Sequence, residues 1–112
     1  MNADGFRKLA LALPEATEGS HMGHADFRVH GKIFATLDYP STGWGMVRLT
    51  PTQQQLLVQA EPGVFVPVNG AWGARGATCV RLRTARVRSV REALVSARNK
   101  VAAKSRVERR KK

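Results

Sequence analysis

Most features that announce a particular chemistry are missing from this chain. It has one cysteine, Cys79, which excludes an internal disulfide and a multi-cysteine zinc site. Cys79 lies in the apolar, β-like run TCVRL (78–82), where a buried inert thiol is expected and not a nucleophile. No apolar run approaches the roughly 20 residues of a membrane span. The opening MNADG lacks the basic and apolar stretches of a signal peptide, so a cytoplasmic protein with no membrane partner is expected. Acidic residues are scarce as well: 8 Asp and Glu stand against 19 Lys and Arg, for a net charge of +11.

That imbalance is local. Residues 1–80 hold six bases and six acids, whereas residues 81–112 hold thirteen bases against only Glu92 and Glu108. Eleven of those thirteen precede Lys111 and Lys112, so the charge is not merely a terminal tail. A positive field at one end of a small domain suggests a polyanionic partner, held more weakly as salt rises. The competing reading is a solvated charged face that aids solubility.

At 112 residues the chain is one domain with a core large enough to fold alone. The domain is expected over 1–104, followed by a mobile basic tail over 105–112, where Val107 is the only apolar residue. Asp4 can cap a first helix that stops before Pro14, with Phe6, Leu9, Ala10 and Leu13 on its apolar face. Strand signals then take over, with a short strand near 18–22. The runs 27–29 and 32–37 flank His30-Gly31, a two-residue connection suited to a tight hairpin, and 44–49 continues the meander. Thr50, Pro51 and Gln53 spell a capping box for a helix to about Ala60, which would bury Leu56, Leu57 and Ala60. Residues 64–75 are rich in Gly and Pro and read as an ordered loop or short extended pieces; 78–83 alternates as a strand. Ser89 is placed to cap a last helix with Val90, Leu94, Ala97 and Val101 in one stripe.

Several constellations compete for function. Arg81, Arg83, Arg86, Arg88, Arg91 and Arg98 combine a strand face, a turn and a helix flank, and arginine suits bidentate phosphate contact. They are the candidate nucleic-acid-binding residues. In the hairpin register, Phe27, Val29, Lys32 and Phe34 share one face, and Arg28, Ile33, Ala35 and Leu37 the other. Both sheet faces are therefore partly apolar. One face could stay open and show aromatics beside bases, as in single-strand binders; otherwise helices, the 64–76 loop or a dimer partner cover both. His21, His24 and Asp26 lack the converging donors of a metal site. Gly70, Gly73 and Gly76 precede a strand, so turn chemistry accounts for them better than a phosphate loop. No catalytic triad or acid–base pair is recognisable, and neither an enzyme nor a cofactor is expected.

The segments FRKLALALPE (6–15), FRVHGKIFA (27–35) and GARGATCVRL (73–82), completed by the helix at 90–101, resemble the small bacterial MmcQ/YjbR family over about residues 5–103. The resemblance implies a compact α+β domain and DNA binding, and it carries no catalytic or base-reading residues to transfer. Together these readings predict an α+β fold with an antiparallel sheet of about five strands packed with N-terminal, middle and C-terminal helices. They predict a non-catalytic protein whose partner is nucleic acid, DNA first, through phosphate contacts. The alternative is a regulatory interaction domain, homodimeric and without nucleic-acid affinity.

Overall fold

Apolar spacing switches between three or four residues and two along the chain, and the computed structural model follows those switches. It describes residues 1–110, with side chains through Arg106. The helix α1 (Ala3–Leu11) is capped by Asn2, whose side chain accepts from the Gly5 N–H at 2.9 Å. Asp4, the expected cap, instead occupies the first turn and pairs with Arg7 at 3.0 Å.

Four strands follow as a meander: β1 (Ala16–His21), β2 (His24–Val29), β3 (Lys32–Leu37) and β4 (Trp44–Arg48). Then come α2 (Pro51–Ala60), β5 (Phe65–Pro67), α3 (Ala71–Ala74) and β6 (Ala77–Arg81). A short 3-10 turn (Leu82–Thr84) leads into α4 (Val87–Arg110). The sheet is antiparallel throughout, in the order β1-β2-β3-β4-β6-β5. The α+β class is as the sequence predicts, with six strands in place of about five. The additional strand, β5, comes from the Gly/Pro-rich segment, which finds a partner edge in β6.

His30 and Gly31 both take positive φ, 53° and 77°, the conformation that a tight hairpin requires. Strict alternation beyond that turn fails. Phe27 faces Ala35 while Arg28 faces Ile33, so Phe34 is the extra residue of a β-bulge. The bulge brings Ala35 and Leu37 onto the same side as Phe27 and Val29, correcting the two-face division read from period two.

That side carries the core. Phe6 of α1 joins Phe27, Phe34, Leu37, Leu49 and Phe65 in one core cluster with the buried residues of α4. In α4, Val90, Leu94 and Ala97 are fully buried and Val101 nearly so, as the helical stripe predicts. Ser89 does not cap this helix; it lies in the first turn and its hydroxyl donates to Glu61 Oε1 at 3.0 Å. Nor does the helix stop at Lys104. It continues through Arg110 with Ser105 buried, while Lys111 and Lys112 lie outside the described residues.

The capping box of α2 is present: the Gln53 N–H donates to Thr50 Oγ1 at 3.1 Å, and the Thr50 N–H to Gln53 Oε1 at 3.0 Å. Its expected burial is not. Leu57 is half-buried against the core, but Leu56 and Ala60 are exposed. The helix lies beside β5 and β6, tied there by the Gln54 amide, which donates to the carbonyls of Gly73 and Ala77 at 3.0 Å each.

Candidate nucleic-acid interface

Alternation along β4 sends Gly45, Val47 and Leu49 toward the core side and Trp44, Met46 and Arg48 away from it. Across the ladder, Trp44 faces Arg81, Met46 faces Cys79 and Arg48 faces Ala77. Neither α1 nor α4 packs over this second face. A small cluster of Met46, Val68, Ala77 and Cys79, joined by Tyr39 and Trp44, lines it. Cys79 is buried there and burial pushes its thiol pKa up, the inert state expected of it.

Two glycines let α3 come down onto this face. A Cβ on Gly73 would lie 1.6 Å from the Val68 carbonyl oxygen, and one on Gly76, whose φ is +111°, 1.9 Å from the Leu49 carbonyl oxygen. The glycine triplet is therefore turn and packing chemistry, and it brings Trp72 over β4. The Arg48 guanidinium lies 5.8 Å from the Trp72 ring centroid, and that of Arg81 lies 4.5 Å from the Trp44 centroid.

A recess of about 370 Å³ opens beside Trp72, lined by Arg48, Arg75, Ala77, Lys100 and Lys104. No carboxylate is among its described lining residues. The Lys100 ammonium donates to the Leu49 carbonyl at 2.8 Å. Its pKa is held below the ordinary lysine value, first by burial and then by the like charges of Arg48 and Lys104. Four cations gathered this closely favour an anion in their midst.

A second recess of about 280 Å³ shares Arg48 and Trp72 and adds His21, His24, Thr36, Tyr39 and Met46. Its rim is organised by buried Asp26. That carboxylate accepts from Arg28 Nε at 2.7 Å and Nη2 at 3.0 Å, and pairs with His21 Nδ1 at 2.7 Å. The Arg28 hydrogen bonds hold the Asp26 pKa below the usual carboxylate range against the opposing effect of burial. No metal-competent cluster of His, Cys, Asp or Glu exists among the described residues.

The six predicted arginines do not form one set. Arg81 lies on this face against Trp44. Arg83, Arg86, Arg88 and Arg91 are exposed along the 3-10 turn and the start of α4, and Arg88 pairs with Glu92 at 3.3 Å. Arg98 is turned elsewhere: it donates to the Pro14 carbonyl at 3.0 Å and to Asn99 at 3.1 Å, with Glu15 at 3.9 Å. It ties α4 to the turn between α1 and β1. Sequence reasoning missed Arg75, Trp72, Lys100 and Lys104 as members of a site. Lys100 and Lys104 carried a signal, an i,i+4 basic pair on the flank of the final stripe. Trp72 carried none, because only the backbone approach at Gly73 decides where it points.

The acids of the first 80 residues are largely spent close to home. Asp4 and Glu18 pair with Arg7, Asp26 with Arg28, Glu15 with His30, and Glu61 accepts from Ser89.

The sequence matches the family model described as YjbR over residues 11–100. The fold is similar to that in the crystal structure of Deinococcus radiodurans protein DR2400, whose domain is described as DUF419. The TM-score is 0.70 at 19% identity, covering 86% of this chain and 75% of that one. No curated protein matches the sequence. Among the described residues no helix is long and apolar enough to cross a membrane.

Proposed function

The chain belongs to the YjbR family, and from the surface this fold gives its sequence we propose that it binds nucleic acid without catalysing a reaction. The second sheet face is the contact surface, and single strands are preferred over duplex. The observation that carries this reading is the pairing of each tryptophan with a guanidinium on that face: Trp44 with Arg81 and Trp72 with Arg48. Aromatic faces stack bases of any sequence, and neighbouring arginines neutralise the backbone between them. Arg75, Lys100 and Lys104 add phosphate-binding charge on one side. Arg83, Arg86, Arg88 and Arg91 extend it beyond the end of β6. Arg86, Arg88 and Arg91 stand at the start of α4, the end where the helix dipole disfavours cations; Arg88 is offset by its pair with Glu92, whereas the dipole gives no reason for Arg86 and Arg91. Arg98 contributes through structure and not through phosphate contact.

The chain's two tryptophans both sit at this face, so intrinsic fluorescence reports on it directly. A single-stranded oligonucleotide should quench that fluorescence, and its affinity should fall linearly on a plot of log K against log salt. Arg48→Ala/Arg75→Ala should flatten the slope by about 2 units, one for each phosphate that is no longer neutralised. Arg98→Ala should leave the slope unchanged. Absence of any salt-dependent binding, or duplex bound more tightly than the single strand, would sink the reading.

A further inference from the structure

We propose that the two recesses sharing Arg48 and Trp72 form one site for a phosphorylated nucleotide unit whose phosphate is a terminal monoester. The inference rests on the nucleic-acid reading above where that unit is the end of a strand.

Charge selects the kind of phosphate. Arg48, Arg75, Lys100 and Lys104 line one recess, and no described lining residue is acidic. An internal phosphodiester brings one negative charge, whereas a terminal monoester brings about 1.5 to 2 at pH 7 and a further oxygen for hydrogen bonding. Arg48 and Lys104 repel the Lys100 ammonium in the free protein, an effect second to burial in lowering its pKa. The ligand with more negative charge relieves more of that repulsion. A surface meant only to follow a backbone would spread its cations along a track; here they converge.

The adjoining recess suits the base. It offers the flank of Trp72 with Tyr39 and Met46, flat and apolar surfaces for a ring. Thr36 lines the same recess and carries an unsatisfied hydroxyl. Thr36 is 2% exposed, and its Oγ1 is buried without a hydrogen-bond partner among the described residues. Such a group costs stability unless it is paired, and the polar edge of a base would pair it. His21, anchored to Asp26 through Nδ1, lines the same recess and keeps Nε2 as its remaining polar ring atom. A phosphate recess and a ring recess joined at Arg48 and Trp72 thus match one nucleotide and its terminal phosphate.

The test compares one short single-stranded oligonucleotide carrying a 5′-phosphate, a 3′-phosphate or hydroxyls at both ends. A nucleoside monophosphate and inorganic phosphate serve as competitors, all read by tryptophan fluorescence. A strand with a phosphorylated end should bind about tenfold more tightly than the hydroxyl-ended strand. That preference should vanish in Arg75→Ala/Lys104→Ala, whose side chains are exposed and hold no other element in place. Thr36→Val should melt no lower than the wild type and lose affinity for the monophosphate. Equal affinity for phosphorylated and hydroxyl ends overturns the terminal-phosphate site and leaves the broader reading standing. Inorganic phosphate competing as well as the monophosphate overturns the base recess. Tight binding of the monophosphate with no strand bound keeps the site, assigns it to free nucleotides and removes the nucleic-acid reading. No binding of any probe overturns both.

Discussion

Asp26 shows how much one side chain organises on the second face. It is fully buried yet charged, because two Arg28 nitrogens and His21 Nδ1 surround its oxygens. Gly19 across the strand pair keeps the space open; a Cβ there would lie 2.9 Å from Arg28 Nε and 3.0 Å from Asp26 Oδ1. The folded-state pKa of Asp26 is lowered, so its contribution is complete above the unfolded value and is lost as pH falls through the folded one. Asp26→Asn should therefore destabilise the protein at neutral pH by about 1.5–3 kcal/mol, the scale of hydrogen bonds to a charged group. The gap between variant and wild type should begin to narrow below about pH 4, where an unfolded Asp takes up its proton, and close only as pH falls through the lower folded-state value. A melting-temperature series from pH 7 to pH 2 checks both; a constant gap between the two proteins would contradict the assignment. Gly73 makes a second case. Gly73→Ala forces α3 off the Val68 carbonyl and should cost about 1–3 kcal/mol as an overpacked contact. It should also move Trp72 away from Arg48, and the emission maximum of Trp72 in a Trp44→Phe background would register that shift.

Elements were legible where local chemistry decides them. The stripe in α4 needed only the 3.6-residue period, and the capping box at Thr50 only four residues of sequence. Leu94→Ala should accordingly cost about 2–5 kcal/mol, the range for a fully buried leucine. Leu56→Ala in α2, at 63% exposure, should stay within about 0.5 kcal/mol of wild type. Chemical denaturation of the two variants separates the packed helix from the peripheral one. What stayed hidden depends on partners distant in sequence. The attachment of α2 turned on Gln54 reaching Gly73 and Ala77 as well as on Leu57, while Leu56 and Ala60 stayed exposed. The bulge at Phe34 altered the division of β3 between faces, since a single extra residue reverses all that follows. The candidate site divided in the same way. Arg81 was legible as a strand-face residue, though its place opposite Trp44 was not, and the structural role of Arg98 was hidden because its partner is a carbonyl 84 residues away.

Across the whole molecule, positive charge reaches the second face from both halves of the sequence. Arg48 and Arg75 come from the formally neutral first 80 residues, and Lys100 and Lys104 from the basic remainder. Two sources of attraction for a polyanion can thus be separated: the converged site, and the general field of a chain carrying +11. Removing residues 105–112 deletes five bases and one acid without touching any described residue that lines the basic recess. Ser105 is buried, so the truncation also costs some packing, and a melting curve must first show that the shortened protein folds. Given that, general affinity for a hydroxyl-ended strand should fall and the salt slope should shrink, since fewer counter-ions are released. The ratio of affinities for phosphorylated and hydroxyl ends should not change, because the field acts on both strands alike while the recess reads only the end. Loss of all binding on truncation would show that the basic terminus is a general polycation and that the sheet face is not the reader. An unchanged ratio with weaker absolute affinity would assign attraction to the field and selection to the site.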